Sequence, residues 1–548
     1  MKHHRNPRKG ILFCAALFFC ALLLTGCVQN AGPVIPEPRG TDTSMYLRVT
    51  DDEPDTVDFQ CTTLHYTVAL NVFDRLTETE KGADGRSRIV PSLAESWTAS
   101  ADGLTYSFRL REGVCFSNGD PLTPADVRYT LIRLLAHPES RNREIAAEIA
   151  GADALSRGEA DDLAGFKITG GRSFTITLTE PFPAFLASLS MPGASILSEK
   201  SVREAGDLFG KDPAHTIGTG SFILETWTPG EGMRLRANSV CWRGAPACAG
   251  LELLFVSDEV EQRLMFERGG LDLLDLDELG DEAEYFVHGD IYQDRLYSAP
   301  QVDITYIALN ESIAPLNDAR VRRALQLALN RQVILDALYS GRGQVENGIF
   351  PHALNGFNPE LAEIPCDPEE AARLLAEAGY PDGFELEAAV RTSAGSRPRE
   401  TLELAADMWK KIGVRLTLKP MEDSEFMQLR GSGQIACYTA TWSADYDDPD
   451  NFLYPFFGTA ENTVYRSLCY PDEAVIRRVQ EARSIPFDAA RMMEYAELER
   501  KIIQEDAAWI PLFSRTHLYV TGERITGFRT DWNGWIQPCF REIAVGAE

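Results

Sequence analysis

Apolar and polar positions alternate in short runs along much of the chain and change to helical spacing in a few longer stretches. Tyr46 to Thr50 reads as a short strand. Tyr106, Phe108 and Leu110 alternate with Ser107 and Arg109, and Phe174, Ile176 and Leu178 repeat the pattern, so both stretches predict half-buried strands. Leu64 to Leu76 has helical spacing. Thr123-Pro124-Ala125-Asp126 opens a helix: Thr123 can cap it, Pro124 suits the first helical position and Asp126 completes a capping box. Asp318 to Tyr339 predicts one strong helix, with Val321, Leu325, Ala328 and Leu329 on one stripe. Glu369 to Ala378 and Glu400 to Ile412 predict two more, stopped by Gly379 and Gly413. A strand, Val414 to Leu418, follows the second, and Pro486 to Ala508 holds a long amphipathic helix. The sum is a mixed α/β chain without internal repeats.

The N-terminus departs from this texture. Lys2, Arg5, Arg8 and Lys9 precede an unbroken apolar run, Ile11 to Leu24. The run falls short of the roughly 20 residues that span a bilayer, and with its basic flank it reads as a secretory signal. It ends in Leu24-Thr25-Gly26-Cys27, which resembles a bacterial lipobox. That resemblance implies cleavage before Cys27 and lipid attachment there, with several acyl chains giving a stable anchor. The Pro- and Gly-rich stretch that follows predicts a tether over 27–44. No later segment is long and apolar enough to span a membrane.

Composition narrows the function classes. The chain has 548 residues, too many for one core, and 44% of them are apolar, as in ordinary globular proteins. It carries 82 acidic and 53 basic side chains, a formal net charge of -29. Loss of residues 1–26 would remove four basic and no acidic side chains, leaving -33. Such a balance disfavours nucleic acid, whose phosphates demand clustered Lys and Arg. Eight cysteines remain beyond Cys27: Cys61, Cys115, Cys241, Cys248, Cys366, Cys437, Cys469 and Cys539. Outside the cytoplasm an even number permits disulfides. Cys241 and Cys248 flank a turn-rich segment and could bridge locally, while Cys437 and Cys469 bracket an acidic segment and could staple it. Buried free thiols are the alternative. No Cys or His spacing suits zinc, and no metal or cofactor is expected.

Catalytic patterns are missing. There is no His-Glu-x-x-His and no Gly-x-Ser-x-Gly, and Gly210-Lys211 is followed by Asp212 where a phosphate loop needs Ser or Thr. Gly218-Thr219-Gly220 lacks a third glycine and reads as a turn. An enzyme is not expected. The densest polar constellation is Trp442-Ser443-Ala444-Asp445-Tyr446-Asp447-Asp448-Pro449-Asp450-Asn451-Phe452. As a calcium loop it fails, because Pro449 and Asp450 occupy the positions that need Asp or Asn and then Gly. A solvated acidic turn is the plain reading. Trp442, Tyr446 and Phe452 favour instead a recognition loop, in which aromatics shield a carboxylate that pairs with a ligand cation.

These residues, with several others, resemble family 5 extracellular solute-binding proteins, the peptide-binding receptors of ABC importers. Ile89-Val90-Pro91-Ser92-Leu93-Ala94-Glu95-Ser96-Trp97 and Asp102-Gly103-Leu104-Thr105-Tyr106-Ser107-Phe108-Arg109-Leu110-Arg111 look like that family's most recognisable stretch. Phe116-Ser117-Asn118-Gly119-Asp120-Pro121-Leu122-Thr123-Pro124-Ala125-Asp126-Val127 continues it. Ile217-Gly218-Thr219-Gly220-Ser221-Phe222 is similar to its central turn, with Ser221 in place of the usual Pro. Asp318 to Leu325 and Trp409-Lys410-Lys411-Ile412-Gly413-Val414 match further along, in the expected order.

The resemblance implies an α/β, two-lobed periplasmic-binding-protein-like fold (type II, large form) with an extra inserted subdomain. Lobe I would comprise 45–76, 191–303 and 509–548, the inserted subdomain 77–190, and lobe II 304–508. It also implies that Asp445, three residues after Trp442, takes the α-ammonium of a peptide. The backbone near Ser443 and Ala444 would pair with the peptide main chain as an added strand does. Trp442 would wall the cleft, and Arg391 would hold the ligand carboxylate. Asp447, Asp448 and Asp450 would shape the loop or lie exposed. The expected protein is a monomeric, lipid-anchored, extracytoplasmic receptor that passes di- or oligopeptides to ABC transporter permease subunits. It would touch the membrane through its lipid alone. The runner-up keeps the fold and changes the ligand to a nickel chelate, haem, oligosaccharide or opine. A tethered secreted hydrolase and a signalling receptor are more distant alternatives.

Overall fold

Two sheets share one strand. The computed structural model describes residues 45–82, 85–486, 488–532 and 540–546. The chain divides into a short unit, Met1–Gly40, and a body, Thr41–Glu548. Cys27, the tether at 27–44 and Cys539 lie outside the described residues. In the body, Trp509–Thr521 is a 13-residue strand, buried along almost its whole length. Its first half pairs antiparallel with Asp303–Leu309, and its second half with Leu296–Pro300 and Leu273–Asp275. Tyr46–Thr50 joins Leu273–Asp275 and runs parallel to Gly250–Leu254, and the antiparallel strands Gly232–Ala237 and Phe222–Thr228 complete that side. On the other side Asp303–Leu309 is followed by Cys437–Ser443, Glu385–Arg391 and Arg415–Met421. The whole makes a 12-stranded sheet.

The chain crosses between the two halves at Gln301-Val302 and again near Arg515. The Gln301 N–H donates to the Arg515 carbonyl at 2.9 Å, and the Arg515 guanidinium meets the fully buried Asp303 carboxylate at 2.7 Å. The crossing is therefore built from main-chain pairing plus a buried ion pair, whose oxygens must be filled to offset desolvation.

Three large apolar cores result. One collects Val302 to Phe513 and centres on Trp409 and Trp509, both fully buried. A second draws on Leu76 to Ile196 around an antiparallel four-stranded sheet, Ala94–Ala99, Thr105–Leu110, Ser173–Thr177 and Phe166–Ile168. There Phe108, Phe174 and Phe166 stack with centroids 5.0–5.2 Å apart. The third joins Leu47 to Phe73 with Leu197 to Leu273 and Tyr519 to Val545. A smaller cluster, Phe266 to Tyr292 with Leu518 and Val520, adjoins it.

Most sequence expectations for elements hold. Tyr46–Thr50, Thr105–Leu110 and Ser173–Thr177 are strands. Helix Pro124–Ala136 begins with the full capping box of Thr123 and Asp126. Gly218 and Gly220 sit where a Cβ would come within 2.0 Å and 2.6 Å of backbone oxygens at Val72 and Asn71, so this turn admits only glycine. Asp318–Tyr339 is not one helix. It breaks into Ala319–Leu327 and Arg331–Tyr339, because the Asn330 side chain accepts from the Val333 N–H and starts a new helix. The stretch 486–508 holds Asp488–Glu499, which winds into a π-turn at Arg500–Glu505, and a further helix, Glu473–Arg483, precedes it. Among the described residues no helix is long and apolar enough to cross a membrane.

The proposed cysteine bridges are not formed. Cys241, Cys248, Cys437 and Cys469 are all free thiols. Cys241 lies 3.8 Å from the Ser221 hydroxyl, and Cys248 packs in the third core. Cys437 is sealed in the first core, while the Cys469 thiol approaches the Gly433 carbonyl at 3.8 Å.

Candidate functional site

Strand Cys437–Ser443 ends at a cavity of about 680 Å³. Trp442, Ser443, Ala444 and Asp445 all line it. Trp442 is half-buried. Its indole N–H donates to the Asn451 carbonyl at 2.8 Å, and its ring meets Phe456 edge-on at 5.3 Å. It therefore serves as both wall and core.

The register assigns different tasks to the two backbone residues. The Ala444 N–H donates to the Val302 carbonyl at 2.8 Å, so it is already used. Opposed residues alternate between bonded and non-bonded pairs in an antiparallel ladder. Ser443, opposite Asp303, thus turns its N–H and carbonyl toward the other edge of its strand. On that edge the neighbouring strand pairs only as far as Tyr438. Ser443, rather than Ala444, offers a free main-chain edge.

Asp445 has the surface exposure of an open residue, yet protein surrounds it, because the surface it shows is the inside of a cleft. Burial pushes its carboxyl above the usual range, against the opposing pull of the Asn451 hydrogen bond and the Arg466 charge. Asn451 holds it from both ends: the Asp445 N–H donates to Asn451 Oδ1 at 2.9 Å, and Asn451 Nδ2 donates back at 3.0 Å. No protein cation forms an ion pair with it among the described residues.

Its acidic neighbours differ. Asp448 receives both arms of Arg491, at 2.8 and 2.7 Å. Asp450 accepts from Arg483 at 2.8 Å and from the Tyr446 hydroxyl at 2.8 Å. Asp447 accepts from the Asn355 N–H at 2.7 Å and from the Ser87 hydroxyl. The Tyr446 ring enters the core formed by Leu76 to Ile196. The expectation that these acids shape the loop is the part of the alternative that the geometry matches.

Arg391 is elsewhere. It lies outside the cavity lining, bound to Asp423 at 2.7 Å and set beside Phe426. Arg391 ends its strand opposite Met421 of the neighbouring strand, and the helix Asp423–Gly431 that follows Met421 offers its first carboxylate to the guanidinium. The cavity's cations are Arg75, Arg141, Arg430 and Arg466. Arg466 lies over Trp442 at 4.7 Å and Arg430 over Tyr465 at 5.0 Å, contacts that hold a guanidinium by its face and leave its edge for an anion. Arg75 is 2% exposed, yet its Nε and Nη1 have no hydrogen-bond partner, and Nε of Arg430 and of Arg466 share that condition. The remaining charged residues of the lining are Glu144 and Asp531, each pushed up by burial to about 7. Nothing in the local pattern of the sequence marks these residues, which come from turns and helix ends far apart in the chain.

No His or Cys lies among the described lining residues, and Met191 is the one soft donor there. Away from the cavity, Asp275, Asp277 and His517 bring ligand-type atoms within 4.8 Å of one another. Their donors are already engaged: His517 Nε2 meets Asp275 at 2.7 Å, and the Gln301 amide lies 2.7 Å from His517 Nδ1 and 3.0 Å from Asp277.

Residues 88–463 match the family described as bacterial extracellular solute-binding proteins, family 5 Middle. Heme-binding protein A of Haemophilus influenzae is 28% identical over 470 residues, covering 83% of this chain and 84% of that one. The dipeptide-binding protein of Escherichia coli is 26% identical over 459 residues, covering 80% and 83%. Among solved structures, HbpA2 of Haemophilus parasuis superposes with a TM-score of 0.74 at 26% identity, over 92% of this chain and all of the other. The murein tripeptide-binding protein of Escherichia coli superposes at 0.76 with 23% identity, over 93% and 100%. The shared architecture is the two-lobed type II fold of periplasmic binding proteins.

Proposed function

The chain belongs to the family 5 bacterial extracellular solute-binding proteins, and from that premise we propose that it is a receptor for short peptides with a free amino end. The observation that carries this reading is the polarity of one cleft. Asp445 is a carboxylate with no protein cation of its own among the described residues, and Arg430 and Arg466 line the same cavity, held over the faces of Tyr465 and Trp442. A zwitterion with a main chain between its charges answers both poles, and Ser443 offers the intervening edge. The volume suits a small ligand. The carboxylate role proposed from sequence for Arg391 passes to the arginine pair. Lining so rich in charge, with no His or Cys among its described residues, fits a peptide better than haem, the ligand named for one relative.

In this reading Cys27 carries the lipid, 27–44 is the tether, and the loaded body passes its peptide to the permease of an ABC transporter. The lobe and subdomain boundaries given above belong to the same proposal. Mass spectrometry of what copurifies with the chain, followed by thermal denaturation with short peptides, tests the ligand. Recovery of a sugar or metal chelate and no peptide would falsify the reading. Loss of membrane retention in Cys27→Ser tests the anchor, and a variant that stays membrane-bound removes it.

A further inference from the structure

Glu144 is a second carboxylate in the same cleft without an ion-pair partner among the described residues. It sits in the short 3-10 turn Arg143–Ala146. That turn is firmly fixed. Buried Asn142 donates through Nδ2 to the carbonyls of Phe59 at 3.0 Å and Thr62 at 2.8 Å. The Arg141 N–H donates to the Gln60 carbonyl at 2.8 Å, and the Tyr66 hydroxyl to Thr62 at 2.8 Å. The Glu144 side chain makes no ion pair and no hydrogen bond to another side chain among the described residues; its own backbone N–H donates to it, and the Arg143 charge acts on it.

The two acids come from distant parts of the chain. Ile145 and Ala146, next to Glu144, lie in the core of Leu76 to Ile196, while Asp445 stands at a seam, with Tyr446 in that same core and Ala444 in the core of Val302 to Phe513. They nevertheless share one electrostatic site. The Asp445 charge adds to the burial that holds Glu144 up, and the Tyr66 hydroxyl feels both acids. Two like charges across an empty cleft oppose each other, and a cation between them removes the opposition.

We propose that the ligand's α-ammonium is held between Asp445 and Glu144, so that two acids of one cavity clamp this single group. The inference rests on the peptide reading and adds a residue that sets specificity for a free, protonated amine. An ammonium has three N–H donors, enough for both carboxylates and one further acceptor. The charged and titratable groups around Glu144 are Asp445, Arg143 beside it, and Tyr66, whose hydroxyl lies 3.3 Å from the Asn142 side chain, with Arg466 acting on Asp445. In the empty cleft Glu144 titrates near 7. Pairing with an ammonium requires its ionised form, so binding draws a proton off and weakens as pH falls through and below about 7.

Calorimetry of the mature chain with trialanine and with its N-acetylated form, across roughly pH 6 to 8 in buffers of different ionisation enthalpy, reads these effects. The unsubstituted chain should release a proton on binding trialanine. Glu144→Gln should keep its melting temperature, bind trialanine about tenfold more weakly near pH 8, and lose the pH slope. Equal affinity and an unchanged slope in Glu144→Gln, with the unsubstituted chain binding normally, overturns the clamp alone. Failure of the unsubstituted chain to bind any free-amine peptide overturns the peptide reading and the clamp together.

Discussion

The front and the back of the acidic segment 445–450 carry the same residue type and do opposite things. At the front, Asp445 opens on the cleft, braced by the neutral amide of Asn451 and paired with no cation among the described residues. At the back, Asp448 and Asp450 are each bound to a buried or half-buried arginine, and Asp447 is tied to Ser87 and Asn355. A carboxylate whose charge the fold neutralises is spent on architecture. One whose charge is only desolvated, and held still by a neutral neighbour, remains available to a ligand cation. Charge density along the sequence cannot separate these cases; the partner can.

The sharpest way to break this contrast is to remove an acid at the back. Asp448→Ala leaves the Arg491 guanidinium buried without its two-armed partner and should destabilise the chain by about 3–5 kcal/mol. A melting temperature within a degree of the parent would show that the back of the loop is not structural. Asp445→Asn, at the front, should leave the melting temperature nearly unchanged and weaken binding of free-amine peptides by about 1.5–3 kcal/mol, read by titration calorimetry. A large loss of stability with no loss of affinity would reverse the assignment. Tyr446→Phe removes one hydroxyl donor from Asp450 while keeping the ring in its core, so a loss of about 1 kcal/mol is expected in chemical denaturation.

A further effect is one of slope. Burial raises Asp447 from an ordinary 3.8 to about 6, against the pull of Ser87 and Asn355. Between those values the folded chain holds more protons than the unfolded one. The contribution of Asp447 to stability is therefore full below pH 4 and falls as pH rises through 6. Asp447→Asn should flatten that portion of the stability profile; an unaltered profile would mean that Asp447 is not held as described.

How much of this could be read in advance follows the range of the interactions. The capping box at Thr123 and Asp126 closes over three residues, and the sequence predicts it outright. The break at Asn330 is also local, but an apolar stripe that runs on past it hides the cap. Asp445, Trp442 and Ser443 were legible because one contiguous segment carries them into the cleft. Arg391 was misplaced because its partner Asp423 lies across a strand, a helix and a turn. Glu144, Arg75 and Arg466 reach the cavity from separate parts of the fold, and no periodicity connects them. The cysteine pairs failed for the same reason: nearness in sequence, or on either side of a loop, says nothing about whether two thiols face each other.

The strand Trp509–Thr521 also bears on the order in which the chain can fold. It is shared by both sheets, yet it follows every other strand of them in sequence. Until it is in place, Asp303–Leu309 and Leu273–Asp275 each present an unpaired edge, and the first and third cores lack members they need. Neither half can close early in synthesis, so contacts of very long sequence separation must form last, a topology that folds slowly. The chain thus stays open and edge-exposed until residues 509–521 become available, a state in which it could still be threaded through a membrane pore and in which it depends on being kept from its own copies.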